Sequence, residues 1–403
     1  MSDIGSPHPF PLSLGERGNV VRETGVRPFP EGLIREDVRA LHAYAVAPAD
    51  GLVKLDLMEN PYVLPPDLAR ALGERLGQVA LNRYPPGEPA RFKERLAERI
   101  GLPAGQALLL GNGSDEIIHL MIHACARPGA AVLSPWPSFS MYRMTAELDR
   151  CRFVGVDLRD DFGLDLPAML AALREHRPAL VFLSYPNNPT GNRFDDDAVR
   201  AILEHAPGLV VLDEAYLPFA GRSWIGELPR HPNLLVLRTF SKLGLAGLRL
   251  GYLCGAPEWL GEFDKLRPPF NVDSLTLAAA DFLLDHLDVF DAQAATIRAD
   301  RARMIAALRT IDGLEVFDSA ANFVLLRVPD GDRGAGARFA HLLRQGILVK
   351  NMTAFHPMLR GCLRVTVGTP EENAAFLDAM RQAISPLPQA GTDEGEGVVG
   401  VRV

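Results

Sequence analysis

The stretch LVVLDEAY at residues 209–216 is the part of the sequence that decides the fold. An apolar run without alternation is typical of a strand that is covered on both faces. Similar short runs are ALLL (107–110), AVL (131–133), ALVFL (179–183) and LLVL (234–237), and helical patterns lie between several of them. We therefore predict an α/β domain with a mostly parallel sheet flanked by helices.

The composition of the chain predicts a soluble globular protein of about two domains, because 47% of the 403 residues are hydrophobic and 23% are charged. A net charge of −8 provides no general attraction to nucleic acid or anionic membranes, so we expect neither partner. The four cysteines are scattered without a C-x-x-C pair. They predict neither a disulfide framework nor a zinc site, and they favour a reducing cytoplasm.

Shifts in composition predict the division of the chain. Residues 1–30 and 386–403 are rich in Pro and Gly and lack apolar periodicity, so we expect disordered tails. We assign the sheet-forming runs to a large domain at residues 76–285. A smaller α+β domain is predicted at residues 286–385, with residues 31–75 returning to it as its N-terminal part.

The stretch RTFSKLGLAGLRLGY (238–252) places Lys242 just after a buried strand, with Ser241 beside it and Arg249 seven residues later. This arrangement suits a lysine that forms a Schiff base with a cofactor aldehyde while the serine and the arginine hold the cofactor phosphate. The alternative is an exposed loop lysine, which is the usual environment of that residue type.

Asp213 closes the apolar run of residues 209–212, where an unpaired carboxylate would be costly. A pyridinium nitrogen would be a suitable cationic partner, and Tyr216 is placed to donate a hydrogen bond to a phenolic oxygen of the same ring. The alternative is that Asp213 only caps the next helix.

Three further turns follow apolar runs, where α/β sheets bind their ligands. GNGSDE (111–116) can present backbone amides to a phosphate, although a plain helix cap is at least as common. SYPNNPTG (184–191) delivers the amide of Asn188 to the sheet edge, or is an ordinary Asn-Pro turn. Phe139 in SPWPSFSMY (134–142) offers a flat face to an aromatic ring, or is a core aromatic.

His119 and His123 have the i, i+4 spacing of metal ligands on a helix. No acid follows His119 to complete an H-E-x-x-H motif. We therefore interpret the pair as a coincidental helix face and predict no metal.

Taken in order across residues 111–249, these motifs resemble the fold-type I, pyridoxal-phosphate-dependent aminotransferases of class I/II. Finer features between about residues 34 and 384 resemble the histidinol-phosphate aminotransferase family within that class. They are MENPY (58–62), LNRYP (81–85), RTFSK (238–242), PFNV (269–272), ANF (321–323) and GCLRVTVGTPEE (361–372). The resemblance implies a seven-stranded sheet in the large domain and a homodimer with shared active sites.

The resemblance also implies roles for single residues. Lys242 would bond to the cofactor aldehyde and, once released, move a proton between the substrate Cα and C4′. Asp213 would hold the pyridine nitrogen, Asn188 and Tyr216 the ring oxygen, and Phe139 the ring face. The residues implied around the cofactor phosphate are Gly113, Ser114, Asp115, Ser241, Arg249 and, from the other subunit, Tyr84.

For the substrate pocket the resemblance implies Arg364 as a bidentate clamp for the carboxylate of glutamate or 2-oxoglutarate. Tyr44, Asn60 and Lys350 are further candidates. Two residues depart from many relatives, namely Phe139 where tyrosine is common and Lys350 where arginine is common.

The implied reaction is transamination of L-histidinol phosphate with 2-oxoglutarate, giving imidazole-acetol phosphate and glutamate in histidine biosynthesis. An aromatic amino-acid aminotransferase and a phospho-amino-acid decarboxylase are alternatives on the same fold, because the pocket decides which bond is broken. A non-catalytic regulator is a further alternative, which the missing DNA-binding module disfavours.

Overall fold

The computed structural model describes residues 32–40 and 47–383. Residues 32–40 belong to a first compact unit and contain the short helix α1 (Glu36–Ala40). Residues 47–383 belong to a second unit, to which everything below refers. Tyr44 and both predicted tails lie outside the described residues.

The second unit contains strands and helices that alternate for most of its length. Its strands are β1 (Val53–Lys54), β2 (Ala107–Gly111), β3 (Ala131–Trp136), β4 (Arg152–Asp157), β5 (Leu180–Ser184), β6 (Leu209–Asp213), β7 (Leu234–Thr239), β8 (Gly251–Gly255), β9 (Glu315–Val316), β10 (Phe323–Arg327), β11 (Ile347–Leu348), β12 (Lys350–Asn351) and β13 (Cys362–Thr366). Its α-helices are α2 (Pro66–Leu76), α3 (Ala90–Ile100), α4 (Gly113–Cys125), α5 (Ser140–Leu148), α6 (Leu166–His176), α7 (Asp196–His205), α8 (Leu217–Ala220), α9 (Pro257–Asp264), α10 (Ser274–Leu283), α11 (Leu287–Leu308), α12 (Gly331–Arg344) and α13 (Pro370–Ala383).

A seven-stranded sheet forms the centre of the unit, in the order β2-β8-β7-β6-β5-β3-β4. Strands β3 to β7 pair in parallel, and β8 runs antiparallel to both of its neighbours. The predicted fold class, an α/β fold with a mostly parallel seven-stranded sheet, is therefore confirmed.

The buried strands of this sheet carry apolar residues on both faces. In β6, Val210 and Leu212 pack into one core cluster, whereas Leu209 and Val211 pack into another on the opposite face. Successive side chains of a strand point to opposite faces, so a strand between two helical layers must be apolar throughout. The edge strand β4 is largely exposed or half-buried instead.

A four-stranded antiparallel sheet, β12-β13-β10-β9, forms a second layer with its own apolar core. Strand β1 pairs in parallel with β11, with Val53 opposite Ile347, so the start of the unit lies beside its C-terminal part. The predicted boundaries at residues 75/76 and 285/286 stay predictions. In the described parts of the chain, no helix is long and apolar enough to cross a membrane.

Candidate active site

The carboxyl ends of the parallel strands meet at one cavity. Asp213 ends β6, and Lys242 follows β7 by three residues. The lining consists of Met58, Ser114, Asp115, Phe139, Ser184, Asn188, Asp213, Ala215, Tyr216, Thr239, Ser241, Lys242 and Arg249. Residues separated by more than 130 positions in the sequence thus face the same space, because parallel strands deliver their C-terminal ends to one edge.

Lys242 lies in a single π-helical turn, Ser241–Leu245, in which Gly244 has a φ of 135°. Its side chain is half-buried, and Nζ donates a hydrogen bond of 2.9 Å to the carbonyl oxygen of Leu57. Burial, followed by the positive charge of Arg364, lowers the pKa of Lys242 to about 8. The neutral amine, which is the nucleophilic and basic form, is therefore accessible near neutral pH.

Asp213 is buried, and its Oδ1 accepts a hydrogen bond of 3.1 Å from the backbone amide of Ala215. The next helix, α8, begins only at Leu217, with Tyr216 as its N-cap residue. Asp213 is therefore not the N-cap of that helix. Burial raises the pKa of this carboxyl to about 6, and a cationic group beside it would restore the charged form.

Tyr142 is a site residue that the sequence interpretation missed. Its hydroxyl donates a hydrogen bond of 2.6 Å to Oδ2 of Asp213, and the side chain is fully buried. Tyr142 lies on α5, one turn after Phe139, and its ring contacts that of Phe139 edge-on at 5.5 Å. The spacing of three residues between two aromatic side chains was the only signal for it, and core aromatics share that signal.

Asn188 connects Tyr216, the other residue expected at the ring oxygen, to Arg364, the predicted substrate clamp. Its Nδ2 donates a hydrogen bond of 3.1 Å to the hydroxyl of Tyr216, and its Oδ1 accepts one of 2.6 Å from Nη1 of Arg364. Nη2 of Arg364 donates to the carbonyl oxygen of Asp56 at 2.9 Å. Burial raises the pKa of Tyr216, so its hydroxyl stays protonated as a donor.

The neighbouring Asn187 has a different task. Its Oδ1 accepts a hydrogen bond of 2.8 Å from Ser138, and its Nδ2 donates to the carbonyl oxygen of Pro137 at 3.0 Å. These bonds tie the loop after β5 to the loop after β3. They hold the segment that carries Phe139. Asn187 therefore stabilises the loops around the cavity, whereas Asn188 lines the cavity itself.

An anion-binding cradle lies at the N-terminus of α4. Gly113 has a φ of 81°, and a Cβ atom there would lie 2.7 Å from Nη2 of Arg249. Nη1 of Arg249 donates to the hydroxyl of Ser241 at 3.4 Å, and Nη2 lies 3.6 Å from the carboxylate of Asp115. Together with the first amides of α4, at Ser114, these groups form a site of the kind that binds phosphate.

Some predicted substrate and phosphate residues do not line this cavity. Asn60 donates 2.9 Å hydrogen bonds to the carbonyl oxygen of Leu243 and to Gln293, which fixes its loop against the lysine turn. Lys350 lies directly opposite Arg364 on the neighbouring strand. Tyr84 is 81% exposed and stacks on Phe270 with ring centroids 4.7 Å apart.

The cavity fits pyridoxal phosphate by its donor chemistry. Arg249, Ser241 and the N-terminus of α4 suit the phosphate, and Asp213 suits a protonated ring nitrogen. The buried amine of Lys242 suits the aldehyde. The lining offers a group of matching charge or polarity to each end of that cofactor.

Comparison with known proteins agrees with this geometry. The family model for aminotransferase class I and II matches residues 50–380. Histidinol-phosphate aminotransferase 1 of Burkholderia lata is 56% identical over 356 residues, which are 88% of this chain and 99% of the relative. A histidinol-phosphate aminotransferase of Chromobacterium violaceum is 53% identical over 350 residues, which are 87% and 97% of the two chains.

Solved structures show the same fold. The histidinol-phosphate aminotransferase from Sinorhizobium meliloti, in complex with pyridoxal-5'-phosphate, matches with a TM-score of 0.77 at 26% identity, covering 88% of this chain and 98% of that one. The L-threonine-O-3-phosphate decarboxylase from Porphyromonas gingivalis matches with a TM-score of 0.70 at 23% identity, covering 82% and 99%. The latter likeness shows the fold alone.

Fold and cavity together define a fold-type I enzyme that uses pyridoxal phosphate. More particularly, the chain belongs to the aminotransferase class I and II family. The predictions of an aminotransferase and of its cofactor are confirmed, and a non-catalytic regulator is not favoured.

Proposed function

We propose that this aminotransferase converts L-histidinol phosphate and 2-oxoglutarate to imidazole-acetol phosphate and L-glutamate, as a step of histidine biosynthesis. The names of the relatives at 56% identity over 88% of the chain support this substrate pair. The names of these relatives favour neither alternative, an aromatic amino-acid aminotransferase or a phospho-amino-acid decarboxylase.

The observation that carries the proposal is the pair of cations on the small sheet. Lys350 on β12 and Arg364 on β13 are directly opposite each other in antiparallel register, so their side chains lie on the same face. Arg364 also reaches Asn188 in the cavity wall. Two adjacent cations suit substrates that carry an anionic group, with Arg364 as a fork for a carboxylate and Lys350 as a point charge for a phosphate.

The proposed work of the chain's own residues follows from their positions. Pyridoxal phosphate, when bound, supplies an electron sink for the substrate Cα. Asp213 would keep the ring nitrogen protonated, while Asn188 and Tyr216 would donate to the ring oxygen. The Nζ of Lys242, with a pKa near 8, would accept the proton from the substrate Cα and deliver it to C4′ of the cofactor.

We further propose a homodimer in the cytoplasm. The exposed ring of Tyr84 stacks on the partly exposed ring of Phe270, and Leu81, nearby in the sequence, is exposed as well. Together these side chains form an aromatic projection at the surface of the chain. A second subunit would cover this projection, and Tyr84 would reach that subunit's phosphate cradle. The four free thiols support a reducing compartment.

The proposal is tested by the visible spectrum of the holoenzyme titrated with L-histidinol phosphate in the absence of an acceptor. We expect the cofactor band to convert to the shorter-wavelength pyridoxamine form at lower concentrations of histidinol phosphate than of phenylalanine or phosphothreonine. Addition of 2-oxoglutarate should restore the original band.

Two results would overturn the substrate assignment. A lower half-conversion concentration for phenylalanine would make the enzyme an aromatic aminotransferase, and release of carbon dioxide from phosphothreonine without an acceptor would make it a decarboxylase. The variant R364Q tests the proposed carboxylate clamp, and R360Q is its control for the loss of one positive charge. Arg360 is a suitable control because it is exposed in the turn before β13. Only R364Q should raise the concentration of 2-oxoglutarate needed to restore half of the original band, because Arg364 is assigned to the carboxylate of the acceptor.

A further inference from the structure

Two histidines of α4 and an aspartate that follows α5 lie close together on the outer surface of a helical layer that covers the large sheet. His119 and His123 lie one turn apart on the exposed face of α4, with ring centroids 5.9 Å apart and ring planes 9° from parallel. Asp149 follows the last residue of α5. The donor atoms of these three residues all lie within 4.8 Å of one another.

The contact between His123 and Asp149 has the spacing of two metal ligands. Nδ1 of His123 lies 3.4 Å from Oδ1 of Asp149, which is longer than the usual 2.7–3.2 Å of an N–H···O hydrogen bond. Two ligand atoms that are each about 2.0–2.1 Å from a tetrahedral zinc ion lie about 3.4 Å apart. The two side chains are therefore placed for an ion between them without a change in their separation.

The second carboxylate oxygen of Asp149 gives an independent indication. Oδ2 is buried and has no hydrogen-bond partner among the described residues, although the side chain as a whole is 12% exposed. Buried polar atoms are rarely left without a partner, and each exception calls for an explanation. An ion bound by both carboxylate oxygens of Asp149 would supply the missing interaction.

We propose that His119, His123 and Asp149 bind one Zn²⁺ ion per chain, with water in the remaining position. Two imidazoles and one carboxylate form a donor set that first-row transition metals, and zinc in particular, accept. The sequence interpretation rejected a metal because no acid follows His119, but the acid comes from another element, 26 residues after His123 in the chain.

The zinc ion would act as a clamp and would take no part in transamination. It joins the C-terminal half of α4 to the end of α5 and closes a loop that contains β3 and Phe139. His119 and His123 lie five and nine residues along α4 from Ser114, or about 7.5 and 13 Å at 1.5 Å per residue, and both are on the exposed face of the helix, so the ion is separate from the phosphate cradle. This inference does not depend on which amine the enzyme accepts.

Zinc binding to the holoenzyme is the direct test. The enzyme, free of any polyhistidine tag and stripped with a chelator, is titrated with Zn²⁺ in competition with a chromophoric indicator. We expect one ion per chain, with an affinity lowered about 100-fold or more in H123Q and in D149N, because even outer-shell partners of metal ligands contribute 10- to 100-fold. The matched control is H205Q, an exposed histidine on α7 outside the cluster.

Cobalt provides a second readout. Co²⁺ added in place of zinc should give the intense visible bands of a tetrahedral ion, which lie at longer wavelength than the cofactor absorption, and D149N should lose them. Thermal unfolding of the metal-free variants checks that they remain folded. Zinc should raise the unfolding temperature of the wild type and of H205Q, and it should leave that of H123Q and D149N unchanged.

Three results would overturn the site. They are the lack of saturable zinc binding by the wild type, unchanged affinity in D149N, and an equal loss of affinity in H205Q. Unchanged affinity in D149N together with a loss in H119Q and H123Q would show an ordinary two-histidine contact in place of the three-ligand site.

Discussion

At the scale of single residues, the charge of Asp213 depends on Tyr142. Burial raises the pKa of Asp213 to about 6, and the hydrogen bond from Tyr142 opposes that rise. In Y142F the pKa should rise further, so the carboxylate becomes protonated closer to neutral pH. A hydrogen bond to a charged group contributes about 1.5–3 kcal/mol, which corresponds to roughly a 10- to 100-fold loss of kcat.

The prediction for Y142F is checked by kcat measured from pH 5.5 to 9. The acidic limb of the profile should move to higher pH, because the anionic form of Asp213 is the form that keeps the ring nitrogen charged. Y185F is the matched control, since the hydroxyl of Tyr185 donates a hydrogen bond of the same length to Asp196 outside the cavity. An unshifted limb in Y142F would remove the role assigned to Tyr142.

Lys242 gives a second prediction at this scale. Its pKa of about 8 is lower than that of an ordinary lysine, mainly because of burial and then because of Arg364. The neutral amine is the form that bonds to an aldehyde, so the rate of cofactor uptake by the cofactor-free enzyme should rise with pH through a midpoint near 8. In R364Q the midpoint should move to higher pH, because a positive charge that disfavours the ammonium form is lost.

Stopped-flow absorbance of cofactor uptake at a series of pH values measures this midpoint. R360Q, which removes an exposed arginine outside the cavity, should keep the wild-type midpoint. A midpoint near 10.5 in the wild type would show that Lys242 titrates as a solvated lysine, against the burial described here.

The residues that could be predicted from the sequence are those at the end of an apolar strand or within a few residues after it. Asp213 and Lys242 stand at such positions, so strand pattern and side-chain chemistry agree on them. Tyr142 could not be separated from a core aromatic, because its only distinguishing property is a hydrogen bond to a residue 71 positions away. The contact between His123 and Asp149 could not be predicted for the same reason, since the two residues are 26 positions apart and Asp149 follows another helix.

At the scale of elements, a buried ion pair joins the ends of β6 and β7. Nε of Arg238 donates to Oε2 of Glu214 at 2.9 Å, and both side chains are almost fully buried. The same carboxylate accepts hydrogen bonds from Ser223 and from the amide of Trp224. The pair therefore fixes the strand ends that carry Asp213 and the lysine turn.

Replacement of Arg238 by methionine leaves the carboxylate of Glu214 buried without its cation. We expect R238M to lower the free energy of unfolding by about 3–5 kcal/mol, measured by urea titration. The double variant E214Q/R238M removes both charges and should be clearly more stable than R238M. Equal destabilisation in the two variants would show that packing around Arg238, and not the charge pair, stabilises these strand ends.

The apolar runs predicted the strands because β5, β6 and β7 are buried on both faces, and only that environment gives an unbroken apolar pattern. The two-residue strands β1 and β11 had no such pattern to reveal their pairing. Their parallel contact joins Val53 to Ile347, a separation of nearly 300 residues that local sequence does not encode.

At the scale of the whole molecule, the proposed dimer places Tyr84 of one subunit in the cofactor site of the other. The geometry within one chain supports this arrangement, because Tyr84 is 81% exposed and stacked on Phe270, and it does not line the cavity around Lys242. A shared site has a consequence that a self-contained site lacks, namely that two defective chains can restore one another.

Mixed dimers of K242A and Y84A test this consequence. One of the two sites in such a dimer combines the intact Lys242 of the Y84A chain with the intact Tyr84 of the K242A chain, so we expect about half the specific activity of the wild type. Each variant alone should be much less active, and K242A should be inactive. Differently tagged chains, co-expressed and purified by both tags, isolate the mixed species, and wild type mixed with K242A sets the value expected for one intact site. If Tyr84 instead served the site of its own chain, the one site with an intact Lys242 would lack it in every mixed dimer, and the activity would be only about half that of Y84A.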